Sequence, residues 1–514
     1  MTEAPVARPD EAPVTSTDTS LRRLARGSSA NLAGTVVSAA ANFALTVVLT
    51  RGLSQSTAGV FISMTSIFLI ATILGQLGAN TGLVYFLSRA KTIGRLDAIP
   101  GYLRTAIRPV LATAVAMAVG VALLAPALGE VVTPGHSDQA QDYLLVLALF
   151  IPLAAAQNIA LAATRGLGTM RANALVELIG RPTVQLLFVL VAVAIAGDGW
   201  VAWAWAVPYL PAAFIAWWWW RRLAVAAGIP LRAGGPSPAR EFWRFSAPRA
   251  LSSVVQIVMQ RLDIVLVAAL AGAAEAAIYA AATRFVVAGQ MGNNAISLAA
   301  QPRLAETLAT HDRPALAEIY RTSTAWLMAV TWPLHMTFIV SAPVLLHVFG
   351  ADYAVGAPVM LVLATCMLVA TGIGMADTVL LMSGRTAWSL ANAVVSLAVQ
   401  IGLDLWLIPQ HGVLGAAIGW GAAILLRNGA AIVQVVIYEG VHSLSRPTLV
   451  VALANLVCFA ALPLVVEGLL GESWLSLGVG LVLGGSGFLV ALWWFRDLLR
   501  LRALRALRRP GGGA

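Results

Sequence analysis

Charge is scarce in this sequence: 11% of its 514 residues are Asp, Glu, Lys or Arg, and one lysine, Lys91, occurs in the whole chain. A soluble domain carries about 25% charged residues, so an ordinary water-facing surface is excluded. Two cysteines, Cys366 and Cys458, sit in separate apolar runs, which excludes a disulfide framework or a cysteine metal site. No glycine-rich phosphate loop ending in lysine is present, so ATP hydrolysis within the chain is not expected. The loops between apolar runs are short, leaving no substantial domain on which an enzyme could place catalytic groups.

What is there is grease. Hydrophobic residues make up 59% of the chain and mean hydropathy is +0.83. Apolar runs of about twenty residues, each able to cross a hydrocarbon core of roughly 30 Å, recur between residues 29 and 495. The reading is an all-α polytopic membrane protein with about 14 spans. Arginines concentrate in alternate loops and in the stretches 221–246 and 497–514, so the positive-inside rule places both termini in the cytoplasm. The net charge of +10 is explained by that topology, with no nucleic acid partner needed.

Polar side chains inside the runs are few and ordered. Arg249, Ser253, Gln256 and Gln260 recur at i, i+4, i+7 and i+11, followed by Asp263, which puts them on one helical face. The first span repeats the spacing with Asn31, Thr35, Ser38 and Asn42, displaced by 218 residues. TAGVF ending at Phe61 and EAAIY ending at Tyr279 share that displacement, and ANALVEL from Ala172 and ANAVVSL from Ala391 are 219 apart. One displacement held along the chain implies an internal repeat. Six spans per copy make the copies parallel, with their polar stripes lining a central cavity.

The domains expected are therefore a disordered N-tail (1–28), a first lobe (29–220), a cytoplasmic linker with a surface helix (221–246), a second lobe (247–440), two extra spans (441–496) and a basic C-tail (497–514). Asp263 and Arg284 lie equally far from the hairpin near Ala273, which predicts an ion pair of either structural or functional purpose. Arg427 and Asp377 are further interior charges, and Asp263 and Asp377 are candidates for ion coupling. Glu177 and Arg181 read as a local salt bridge. Arg51 and Arg89, at membrane edges, read as snorkelling side chains. No metal or cofactor site is expected.

NLAGTVVSAAANFALTVVLTRGLSQSTAGVF, RGLGTMRANALVELIGRP, RLDIVLVAALAGAAEAAIYAAATRF and HGVLGAAIG together resemble the polysaccharide-transporter branch of the multidrug/oligosaccharidyl-lipid/polysaccharide (MOP) exporter superfamily, over roughly residues 29–440. The resemblance implies two lobes, alternating access, and a basic cavity for an undecaprenyl-diphosphate-linked oligosaccharide in a bacterial plasma membrane. It also implies glycosyltransferases or a polymerase as partners, alongside membrane lipids. Arg249, Arg284 and Arg427 would serve the diphosphate, and the Asn, Gln, Ser and Thr stripes the sugars. The first span lacks the interior arginine of the lipid II flippase branch. The alternatives are a cation-coupled drug antiporter of the MATE kind and a non-transporting scaffold for glycan assembly.

Overall fold

The computed structural model describes residues 16–230 and 239–499, and among these it is helical without a strand. The first half contains α1 (Ser16–Gly52), α2 (Gln55–Gln76), α3 (Ala79–Thr92), α4 (Ile99–Val132), α5 (Ser137–Gly166), a π-helical stretch Asn173–Gly180 continuing into α6 (Arg181–Val191), then α7 (Val201–Ala206) and α8 (Tyr209–Ala226). The second half runs α9 (Ala239–Leu270), α10 (Ala273–Ala309), α11 (Arg313–Val340), α12 (Ala342–Leu346), α13 (Ala357–Ile373), α14 (Ala376–Met382), α15 (Thr386–His411) and α16 (Val413–Glu439). After these come α17 (Arg446–Asn455), α18 (Leu462–Leu470) and α19 (Trp474–Trp494).

Twelve stretches among the described residues are long and apolar enough to cross a membrane. α10 and α11 have the length but are not among them, so the expected count of 14 is not reached on length and composition. In α10, Gln290, Asn293 and Asn294 lie within the run that would have to be apolar. The N-tail expectation needs correction as well. Residues 1–15 lie outside the described residues, but 16–28 are helical, because extending an existing helix adds one hydrogen bond per residue fixed and avoids a new nucleus. Likewise the last part of 221–246 forms the first turns of α9 and no separate surface helix; residues 231–238 are outside the described set. Of the basic C-tail only residues 497–499 are described, and the Leu499 carbonyl accepts from Trp326 Nε1 at 2.9 Å.

Elements repeat in order. α2 begins at Gln55 and α10 at Ala273, the displacement of 218 seen in the sequence. Within the first half α5 packs on α4, α2 and α8; within the second α16 packs on α15 and α13, and α11 on α10 and α13. The halves meet where α2 lies against both α9 and α10. α17 packs on α11, and α18 on α19.

The second span is broken. Leu77 and Gly78 both take left-handed backbone (φ 51° and 70°), ending α2 and restarting the chain as α3. The break lets α3 meet α9 closely: a methyl on Gly78 would fall 2.6 Å from the Ser246 carbonyl oxygen and 2.7 Å from the Ala250 nitrogen. Both positive φ and contact demand glycine there. Gly94 has a similar φ of 74° but open space around it. Gly78→Ala should therefore lower the unfolding midpoint in detergent by several degrees, with Gly94→Ala lowering it much less. Thermal scans by tryptophan fluorescence check this, and equal shifts would mean that the α3–α9 approach contributes nothing beyond backbone strain.

Candidate functional site

The stripe on α9 is open where it should be in hydrocarbon. Gln256 and Gln260 are exposed midway along the helix and make no hydrogen bond among the described residues. Below them Ser253 Oγ donates to the Arg249 carbonyl at 3.2 Å. Arg249 is exposed; its Nη1 donates to the Phe245 carbonyl at 2.8 Å and its guanidinium lies 3.7 Å from the Phe245 ring centroid. On α1, Thr35 Oγ1 donates to the Asn31 carbonyl (2.8 Å) and Asn42 Nδ2 to the Ser38 carbonyl (2.7 Å). These bonds to the preceding turn satisfy the helix's own polar atoms. Asn31 also reaches across to the π-helical stretch, accepting from Asn173 Nδ2 at 3.3 Å. No hydrogen bond among the described residues joins the two stripes.

The expected Asp263–Arg284 ion pair is absent. Asp263 is 3% exposed and receives Tyr279 Oη at 2.6 Å and the Ile264 amide at 2.9 Å. Tyr279 and Arg284 are five residues apart on α10, about 140° around the helix, so only one of them can face Asp263. Arg284 instead lies within electrostatic reach of Arg261, and the two charges repel. Nε of each is enclosed and without a partner, and neither arginine forms an ion pair among the described residues. Arg261 interacts electrostatically with Asp263 on its own helix and with Tyr209 of α8. The sequence reading passed over Arg261 because it falls off the stripe's face, although an arginine in mid-span is itself a signal.

Beside Asp263 lies a second unspent acid. Ser396, Gln400 and Asp404 follow one another at i, i+4 and i+8 on α15, all at most 1% exposed. The Ser396 hydroxyl, the Gln400 Oε1 and both Asp404 carboxylate oxygens have no partner. Gln400 Nε2 approaches the Met259 carbonyl of α9 at 3.4 Å, and the charges of Asp404 and Asp263 interact. Asp404 has room because Gly419 of α16 faces it.

Other interior charges are neutralised. Arg427 Nη2 binds Asp377 Oδ2 at 2.9 Å, and Ser389 Oγ donates to Asp377 Oδ1 at 2.6 Å. Arg385 pairs with Glu439. In the first half Arg181 binds Glu177 (2.5 Å), Gln185 (2.9 Å) and Tyr209 Oη (3.3 Å), so the pair read as local is a node joining helices. Arg51 and Arg89, read as snorkelling, are also bonded. Arg51 donates to the His347 and Val348 carbonyls at 2.9 and 2.6 Å, and Arg89 binds Glu241 at 2.9 Å. The Arg51 contact is backed by Phe43, whose ring lies 5.5 Å from Phe285 and 5.3 Å from Phe349. It ties the end of α1 to the segment after α12, at the end of the molecule that carries the α1–α2 and α9–α10 turns.

This architecture has relatives. Residues 24–308, more than half of the chain, match the polysaccharide biosynthesis protein family. The chain belongs to that family. The MatE family matches residues 248–406, and no curated protein matches by sequence. A structure described as lipid II flippase MurJ in an inward closed conformation superposes with TM-score 0.69 at 13% identity, covering 91% of this chain and 98% of that one. An inward-facing MATE multidrug transporter gives 0.65 at 13% identity, over 79% and 95%. A MOP superfamily transporter from Pyrococcus furiosus gives 0.53 at 16% identity, over 80% and 94%. This polysaccharide biosynthesis protein is thus a multi-pass membrane protein with the MOP transporter fold.

Within it, Arg427→Gln strands the Asp377 carboxylate, whereas Arg427→Gln with Asp377→Asn removes both charges. Breaking a buried pair costs up to about 3–5 kcal/mol and removing both partners far less; here both side chains are about one-third exposed or less, so a smaller cost is expected. The single variant should lose several degrees of thermal stability and the double variant regain most of it. Additive losses in that double-mutant comparison would make the contact energetically silent.

Proposed function

We propose that this protein moves an undecaprenyl-diphosphate-linked oligosaccharide from the cytoplasmic to the outer leaflet of a bacterial plasma membrane by alternating access, with both termini cytoplasmic. The observation that carries the reading is the Arg261–Arg284 pair, two interior guanidiniums that repel each other and form no ion pair among the described residues, the one acid near Arg261, Asp263, being hydrogen-bonded to Tyr279. Each charge costs about 2.5–3.5 kcal/mol to place mid-membrane, and their repulsion adds to that. A diphosphate offers acceptor oxygens in the fork geometry guanidinium prefers. Its arrival offsets both costs at once. Gln256, Gln260 and the α1 stripe supply donors and acceptors for sugar hydroxyls, and the lipid tail stays in the bilayer. Arg249 lies at the mouth; Arg427, already paired with Asp377, lines the cavity in a structural role.

In this state Arg51 and Phe43 tie together one end of the molecule, which in the proposed orientation is the outer end. Transport requires those bonds to break. Asp263 and Asp404, with the orphan oxygens of Ser396 and Gln400, are proposed as the cation or proton site that couples this to a gradient; Asp377 is spoken for by Arg427 and Ser389. Glycosyltransferases and a polymerase are the proposed partners on either face. The second reading, a cation-coupled antiporter, is favoured by the MatE match, which spans both acids.

Two experiments decide. Arg284→Met should cut flipping of a lipid-linked glycan in proteoliposomes at least tenfold while leaving thermal stability unchanged or raised, since it relieves repulsion. Unimpaired flipping would remove the arginine pair from the substrate path. Asp404→Asn should retain substrate binding and lose acceleration by an imposed cation or proton gradient. If efflux of cationic dyes, with no glycan flipping, is what the wild type performs, the antiporter reading prevails.

A further inference from the structure

At the end of the molecule opposite Arg51, a crevice of about 830 Å³ opens between α3 and the first turns of α9. Four arginines line it: Arg89 from α3, and Arg240, Arg244 and Arg249 from α9. Its one carboxylate, Glu241, is engaged by Arg89 at 2.9 Å and by Tyr102 Oη at 3.3 Å. Arg240 and Arg244 are exposed and form no hydrogen bond or ion pair among the described residues. The floor is aromatic: Tyr85 and Phe245 stack with centroids 4.3 Å apart, and Arg249 is held against Phe245. Arginine above a ring floor is the combination expected at headgroup depth, where phosphates meet the edge of the hydrocarbon.

We infer that this crevice is a binding site for the phosphate of a lipid headgroup, with Arg240 and Arg244 as its free ligands, Arg249 as an oriented one, and Glu241 as an internal competitor that occupies Arg89 until the phosphate arrives. Topogenic charge accounts for arginines on this side of the membrane, but not for their convergence on one ring-floored crevice. The phosphate can come from a carrier lipid's diphosphate or from an anionic glycerophospholipid. The inference does not depend on the transport reading, because it concerns binding alone.

The full-length protein, purified in detergent, is titrated with dioleoylphosphatidylglycerol, with undecaprenyl diphosphate and with dioleoylphosphatidylcholine, and bound lipid is counted by native mass spectrometry. Arg240→Gln with Arg244→Gln should weaken binding of at least one anionic lipid tenfold or more. Arg221→Gln with Arg222→Gln, the same charge change in the last helix before the connection to α9 and hence on the same side, should change it less than twofold. Glu241→Gln should tighten binding several-fold by releasing Arg89. Preference for undecaprenyl diphosphate assigns the site to the carrier lipid, and preference for phosphatidylglycerol assigns it to a bilayer lipid. Equal losses in the two double variants, binding of phosphatidylcholine as tight as of the anionic lipids, or a Glu241→Gln variant that binds more weakly would overturn the inference.

Discussion

A guanidinium in hydrocarbon has to be answered by something, and this chain has fewer acids than arginines with which to answer it. The structure divides its interior arginines accordingly. Arg181, Arg385 and Arg427 each meet a carboxylate from the same or a neighbouring helix and thereby fix helix to helix. Arg261 and Arg284 form no ion pair among the described residues: they repel each other, and Arg261 alone is attracted by Asp263 and Tyr209. The division separates arginines that are paired from arginines that are not, although the side chain is the same in both. It also explains why Asp263 is bonded to a tyrosine: a hydroxyl satisfies the carboxylate without discharging Arg284.

Much of the architecture was legible in the sequence. Hydrophobic length marked the twelve stretches able to cross a membrane, and the 218-residue displacement reappears in the starts of α2 and α10. These features are one-dimensional, being fixed by period and composition. The break at Leu77–Gly78 was not legible, since nothing about Leu77 announces left-handed backbone. The shortfall in counted spans arises similarly, from the polar residues that α10 carries through its length.

The site was legible only in part. The stripe lies along α9 with Gln256 and Gln260 exposed. Partners separated by tens or hundreds of residues were beyond reach: Arg427 with Asp377, Arg51 with the carbonyls of 347 and 348, Asp404 beside Asp263. Arg284 was expected to meet Asp263 from their equal distances to the hairpin, but position along a helix does not fix rotation about it. Five residues between Tyr279 and Arg284 decided which one faces the acid.

The reciprocal amides of Asn392 and Gln434, 2.8 and 3.0 Å apart, and the Arg385–Glu439 pair both join α15 to α16. Each contact matches one residue to one residue, so sliding either helix by a single turn, about 5.4 Å, would break both together with the fit of Gly419 against Asp404. α15 and α16 are in effect a keyed plank that can tilt but not shear. Asp404 is held on that plank and Asp263 on α9, so the gap between the two acids would report any displacement of α9 relative to the plank.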